Sequence, residues 1–237
     1  MTILRHNAVT HVGKVRKVNE DSIIALPDQN TFVVADGMGG HAGGDFASQT
    51  VVESVAMIPL GLEPAAQMQA LRTSILNAHG SILKEIEARG GVTIGSAVVS
   101  LMISGEHFVC FWAGDCRLYR LRDGMIDLLT SDHSIVADLV HAGQMTWDEA
   151  ENHPHSNAIT RAVGVGEELD LDKIRGTLQS GDRFLLCSDG LNKYAGFDVL
   201  RRAMTGAPIE TVSETLLNIA LDGGGADNIS VIVVDVL

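Results

Sequence analysis

Three apolar runs of this chain each meet an aspartate at one end, with glycine close to the aspartate. Residues 32–37 read F-V-V-A-D-G and residues 184–190 read F-L-L-C-S-D-G. Residues 223–234 reverse the order, placing G-G-G-A-D-N ahead of I-S-V-I-V-V. Runs this short and this apolar predict buried strands. An aspartate at the end of such a strand lies at the rim of a core, where its charge is costly unless it is paired or bound to a cation. Gly37, Gly39, Gly40, Gly43 and Gly44 follow the first aspartate and let the backbone bend tightly and bring carbonyls close to a ligand. One aspartate beside glycine is a commonplace turn residue. Three of them on strand ends, Asp36, Asp189 and Asp227, point to one oxygen-lined site for a hard cation.

The remaining pattern is strand-rich, with helices in pairs. Residues 13–26 set Arg16, Asn19, Glu20 and Asp21 just ahead of a strand at 22–26, either as a charged turn or as part of a site. Residues 45–58 and 65–89 carry apolar side chains at helical spacing, and Pro59 and Gly90-Gly91 stop them. Strands follow at 94–103, 107–113, 116–121 and 125–129, joined tightly enough to predict an antiparallel meander rather than βαβ units. Asp115 falls in a break between two of these strands and reads as a turn residue. Residues 132–166 hold His133, His141, His153 and His155 among short helical pieces. No cysteine or glutamate joins them at zinc-ligand spacing, so a loop or flap is expected there. A strand at 169–178, the second Asp-Gly strand, helices at 198–204 and 209–221, and a last strand at 228–236 complete the chain. No repeat, low-complexity tract or linker divides the 237 residues, which predicts one domain.

Composition narrows the function. A net charge of -13 and the lack of any basic stripe exclude nucleic acid as the main partner, because phosphate backbones demand a basic footprint. The first thirteen residues lack an apolar secretory core, and no apolar run is long enough to span a bilayer. Cys110, Cys116 and Cys187 lack metal spacing and read as buried, reduced thiols of a cytoplasmic protein.

Oxygen ligands favour Mg²⁺ or Mn²⁺ over zinc. Three carboxylates exceed what one Mg²⁺ usually takes from protein, so a two-metal site is expected. Such a site activates a shared water and clamps an in-line displacement at phosphorus. Arg16 is a planar fork suited to phosphate oxygens. No G-K-[ST] follows the glycine loop, which excludes a P-loop, and nothing suggests a covalent nucleophile. These residues describe a metal-dependent phosphoester hydrolase.

Seven ordered motifs then carry a resemblance. V-R-K-V-N-E-D-S (15–22), V-V-A-D-G-M-G-G-H-A-G-G (33–44), W-A-G-D-C-R-L-Y (112–119), S-D-H-S (131–134), H-P-H-S-N-A-I-T-R-A-V-G (153–164), L-L-C-S-D-G-L (185–191) and A-D-N-I-S (226–230) span nearly the whole chain. Together they closely resemble bacterial metal-dependent serine/threonine protein phosphatases of type 2C. The resemblance implies an α+β fold: two packed antiparallel β-sheets flanked by helices, a four-layer α-β-β-α sandwich. It implies a single phosphatase domain over 1–237, a flap at about 132–166, and two Mn²⁺ or Mg²⁺ ions with a third in bacterial members. Asp36 then bridges both ions, the Gly37 carbonyl ligates one, and Asp189 and Asp227 ligate the other. Asp115 joins Asp189 at the third, a role beyond a turn residue. Arg16 binds phosphate, and Glu20 and Asp21 hold metal-bound waters. Met38 stands where animal members carry a histidine proposed as general acid, which leaves that role to His41 or a metal-bound water. The implied substrates are proteins phosphorylated on serine or threonine, with a cognate bacterial kinase as the opposing partner and no membrane involved.

Overall fold

The computed structural model describes residues 3–39, 43–146, 149, 153–155 and 158–237. Ten strands form two five-stranded sheets, in the orders β1-β10-β9-β6-β7 and β2-β3-β4-β5-β8. They are β1 (Leu4–His11), β2 (Asp21–Leu26), β3 (Thr31–Gly39), β4 (Ile94–Ser104), β5 (His107–Ala113), β6 (Arg117–Arg122), β7 (Met125–Leu128), β8 (Asp172–Thr177), β9 (Arg183–Cys187) and β10 (Ile229–Val236). Among the described residues every strand pairing is antiparallel. The helices that lie wholly among the described residues are α1 (Gly44–Ala56), α2 (Pro64–Ala88), α3 (Ile135–His141), α4 (Asp189–Asn192), α5 (Phe197–Met204) and α6 (Ile209–Asp222).

The layering follows from the period of two along each central strand. In β3, Phe32 and Val34 point between the sheets, while Val33 and Ala35 point at α1 and α2. In β9 and β10, Phe184, Leu186, Ile232 and Val234 face the other sheet, and Leu185, Cys187, Val231 and Val233 face α5 and α6. Three buried clusters result, one between the sheets and one under each helical layer, which gives four layers, α-β-β-α. The amphipathic stripe expected over 65–89 is realised in α2, whose Leu71, Ile75, Ala78 and Ile82 are fully buried.

Two sequence expectations change. The meander expected from 94 to 129 is split: β4 and β5 lie in one sheet, β6 and β7 in the other. The chain changes sheets between Ala113 and Arg117, turning at Gly114 with a φ of +104°. That backbone favours glycine, and a Cβ there would also press on the Ala97 methyl. The second change is β1, an unexpected edge strand paired along its whole length with β10. Among the described residues no helix is long and apolar enough to cross a membrane.

Candidate metal and phosphate site

The aspartates that the sequence singled out meet at one end of the sandwich. A cavity of about 260 Å³ is lined by Asp36 and Gly37 from β3, Asp189 and Lys193 from α4 and its end, and Asp227 and Asn228 ahead of β10. Arg16 and Glu20 from the β1–β2 connection, Asp115 from the sheet crossing, Met38, Gly39, Ala97, and Ile159 from the 132–166 segment complete it. Arg16, Glu20, Asp36, Gly37, Asp115, Asp189 and Asp227 are thus brought together. Asp21 sits directly behind, opposite Asp36 in the β2–β3 register and only 6% exposed. His41 lies outside the described residues.

The recurrence of Asp-Gly has a packing cause. A methyl group on Gly37 would meet the Gly44 backbone and come 2.5 Å from the Glu20 carbonyl oxygen. One on Gly190 would be driven into the Asn228 carbonyl. In both places the residue after the aspartate is the point where a second backbone segment crosses, and only hydrogen fits. The second segment in turn carries a site residue: Glu20 in the first case and the Asp227-Asn228 pair in the second.

Asn228 braces the site, a role the sequence did not reveal. Its Oδ1 accepts the Glu20 N–H at 2.8 Å, and its Nδ2 donates to the carbonyls of Val12 and Val18 at 2.9 Å each. These bonds clamp the segment carrying Arg16 against the start of β10. Ser188 does the same one layer deeper, donating to Asp21 Oδ2 at 2.8 Å and accepting the Ser230 N–H at 3.0 Å. Asp21 Oδ1 is buried and has no hydrogen-bond partner among the described residues.

Electrostatically the cavity is short of positive charge. Its wall carries Glu20, Asp36, Asp115, Asp189 and Asp227 against only Arg16 and Lys193. Burial, then the neighbouring carboxylates of Asp21, Asp189, Asp115 and Asp227, hold the Asp36 carboxyl well above the usual range. Burial first, with Asp189 and Asp132 behind it, pushes Asp115 up to about 7. Burial pushes Asp21 up to about 6 even though Ser230 and Ser188 favour its charged form. Burial works against the Arg16 charge, but Asp227 outweighs it and raises the guanidinium further. Lys193 follows the same pattern with Asp189 and Asp227.

This donor set fits hard divalent cations. It is all oxygen, its charge is unbalanced, and one buried carboxylate oxygen lacks a partner. Among the described residues no three His, Cys, Asp or Glu side chains converge closely enough to hold an ion unaided. Ions held by these carboxylates would complete their coordination with waters, as Mg²⁺ does. Two divalent charges would leave the wall positive, and a phosphate would then be attracted rather than repelled.

Of the other sequence candidates, His133 is buried and holds the sheet crossing, accepting the Gly114 N–H at Nδ1 (3.1 Å). Its Nε2 faces Asp172 at 3.3 Å and Arg161 at 3.3 Å, and its ring stacks on Trp112. The three cysteines are free and buried, and burial pushes the Cys187 thiol up to about 12. Neither group reaches the cavity wall.

Comparison with known proteins agrees with this geometry. The model of the protein phosphatase 2C family matches residues 13–222. The chain is 34% identical over 237 residues to the serine/threonine protein phosphatase PstP of Mycobacterium tuberculosis, covering 99% of this chain and 45% of PstP. It therefore spans about half the length of that curated relative. It superposes on a structure of PppA, described as a key regulatory component of T6SS in Pseudomonas aeruginosa, with a TM-score of 0.92 and 40% identity, covering 99% and 98% of the two chains. It also superposes on the catalytic domain of PstP in complex with 2 manganese ions, with a TM-score of 0.87 and 33% identity over 100% of both chains. With a family match over most of its length, and a fold shared across that length, this chain belongs to the protein phosphatase 2C family.

Proposed function

We propose that this protein hydrolyses phosphoserine and phosphothreonine on proteins, using Mn²⁺ or Mg²⁺ ions held at the Asp36 end of the sandwich. The observation that carries the reading is the cavity wall itself, five carboxylates from both sheets with one arginine at the rim. Asp36 would bridge two ions, the Gly37 carbonyl would complete one, Asp189 and Asp227 would hold the other, and Asp115 with Asp189 would offer a third position. When bound, such ions lower the pKa of a shared water and neutralise the phosphoryl oxygens. Glu20 and Asp21 orient the surrounding waters; the unpartnered Oδ1 of Asp21 is a free acceptor for one of them. Arg16, exposed at the rim, has its fork on Asp227 and would turn it to the phosphate once an ion takes that carboxylate. Met38 lines the cavity and can neither give nor take a proton, so the leaving alkoxide takes its proton from His41 or from a water.

The two sheets and the helices on either side of them form three contiguous buried clusters, which supports one phosphatase domain; residues 132–166, of which 147, 148, 150–152, 156 and 157 lie outside the described residues, are its flap. Ile159 of that segment lines the cavity and bridges to Ser134. The substrates are phosphorylated proteins, in keeping with the name of PstP as a serine/threonine protein phosphatase, and the opposing partner is a serine/threonine kinase. Buried free thiols support a cytoplasmic setting. The test is phosphate release from a phosphothreonine peptide with Mn²⁺. Release should stop on chelation and in Asp36→Asn; undiminished turnover in that variant refutes the reading.

A further inference from the structure

Lys193 is a cation that the sequence reading did not single out. It follows Asp189 by one helical turn, and its Nζ lies 2.8 Å from Asp189 Oδ2 and 3.3 Å from Asp227 Oδ2. Arg16 holds the same Asp227 from the other side, with Nε 3.0 Å from Oδ1 and Nη2 3.0 Å from Oδ2. Three of the four oxygens in these two carboxylates are thus engaged by cations of the chain. A divalent ion takes carboxylate oxygens at about 2.0–2.6 Å. An ammonium on the same oxygen then faces a double positive charge a few ångströms away, so Lys193 must yield part of its contacts when an ion docks. It is built to do so: a four-carbon stem, a side chain 33% exposed, and a place in the cavity wall rather than under it.

We propose that Lys193 is a tethered competitor that shares Asp189 and Asp227 with the divalent ion, holding the two carboxylates together without an ion and setting a lower affinity for it. Asp227 and Asp189 come from segments far apart in sequence, and in this structure Lys193 is the side chain paired with both. The consequence is an ion that exchanges more readily than at a site of bare carboxylates. This rests on the reading of Asp189 and Asp227 as metal ligands, and the test separates the two.

Mn²⁺ is titrated calorimetrically into the wild-type chain, Lys193→Gln and Lys193→Arg, and each is melted with and without Mn²⁺. Two partly exposed ion pairs of about 0.2–1 kcal/mol each predict Mn²⁺ binding about two- to thirtyfold tighter in Lys193→Gln, with wild-type affinity in Lys193→Arg. Without Mn²⁺, Lys193→Gln should melt below the wild type, and Mn²⁺ should raise its melting temperature by more. If the amide variant does not fold, Lys193→Met takes its place. A wild-type chain that does not bind Mn²⁺ overturns the ligand reading itself. A wild type that binds, with Lys193→Gln equal or weaker, overturns the competitor role alone.

Discussion

Replacing Gly190 by alanine sets two physical effects against each other. Gly190 lies inside α4, where alanine is the better helix former by about 0.5–1 kcal/mol. Propensity alone therefore predicts a more stable protein. Packing predicts the reverse: the new methyl would overlap the Asn228 carbonyl oxygen, with the carbonyl carbon at 3.0 Å and Ile229 Cγ1 at 3.2 Å. The obstacle is backbone on one side and a buried strand residue on the other, so no flexible side chain can give way. Overpacking of this kind costs about 1–3 kcal/mol and outweighs the helical gain. For a chain of this size each kcal/mol lost lowers the melting temperature by about 2–4 °C. Relief has to come from separating α4 from the start of β10, which pulls Asp189 away from Asp227. A shift of about 1 Å at a reacting centre is worth on the order of 100-fold in rate. Gly80→Ala is the matched control, also inside a helix but with nothing within 4 Å of the added carbon; it should gain stability. Thermal melts and Mn²⁺ calorimetry on both variants decide. A Gly190→Ala protein as stable as Gly80→Ala, with unaltered Mn²⁺ binding, refutes the crossing-backbone account of the Asp-Gly motif.

Three further outcomes are expected. Asp36→Asn should remove Mn²⁺ binding yet melt higher than the wild type without ions, because it deletes the carboxylate most disfavoured by burial and by its acidic neighbours; equal or lower melting counts against that electrostatic account. The ion-free protein should lose the stability held by its raised carboxyls as pH rises from about 4 to about 7. The raised carboxyls of Asp21 (about 6) and Asp115 (about 7) bind protons more tightly folded than unfolded, so what they contribute is present below about pH 4 and is lost as pH passes through their folded values. His133, whose proton affinity burial lowers, acts the other way only below about pH 6.5, and excess Mg²⁺ should flatten the profile measured by thermal melts. Arg122→Ala strips a two-pronged contact, 2.6 Å at each oxygen, from the buried Asp182. Chemical denaturation should report a loss of about 3 kcal/mol, with Mn²⁺ affinity unchanged because the pair lies away from the cavity.

What could be read from residues alone follows a physical line. Asp36, Asp189 and Asp227 were legible because the strands delivering them are buried on both faces, so their apolar runs are unbroken and end abruptly at charge. The first strand was not legible because L-R-H-N-A-V-T-H is an edge strand, half exposed along its length and too polar to signal itself. The split of the meander was hidden because a tight turn within a sheet and a crossing between sheets look alike in sequence; the difference lies in Gly114 and what packs on it. Lys193 and Asn228 escaped notice for a related reason. Their roles depend on partners: Lys193 touches an aspartate one turn back and another 34 residues on, and Asn228 reaches a segment more than two hundred residues away. The helical spacing of Asp189 and Lys193 was the one signal available.

The aspartates of the cavity do not share a layer. Asp36 belongs to the sheet of β2, β3, β4, β5 and β8, Asp189 and Asp227 flank strands of the other, and Arg16 and Asp115 ride on two of the connections by which the chain passes from one to the other. The cluster buried between the sheets is apolar, so it resists separation but grips weakly against sliding, and away from the cavity Arg122 of one sheet ties to the Thr177 carbonyl of the other. An ion seated among these carboxylates would act as a rivet through both plates. Its binding energy opposes any shear of one sheet over the other, and a substitution in the middle of the sandwich that changes their alignment should register first as altered ion affinity, before any carboxylate has been touched.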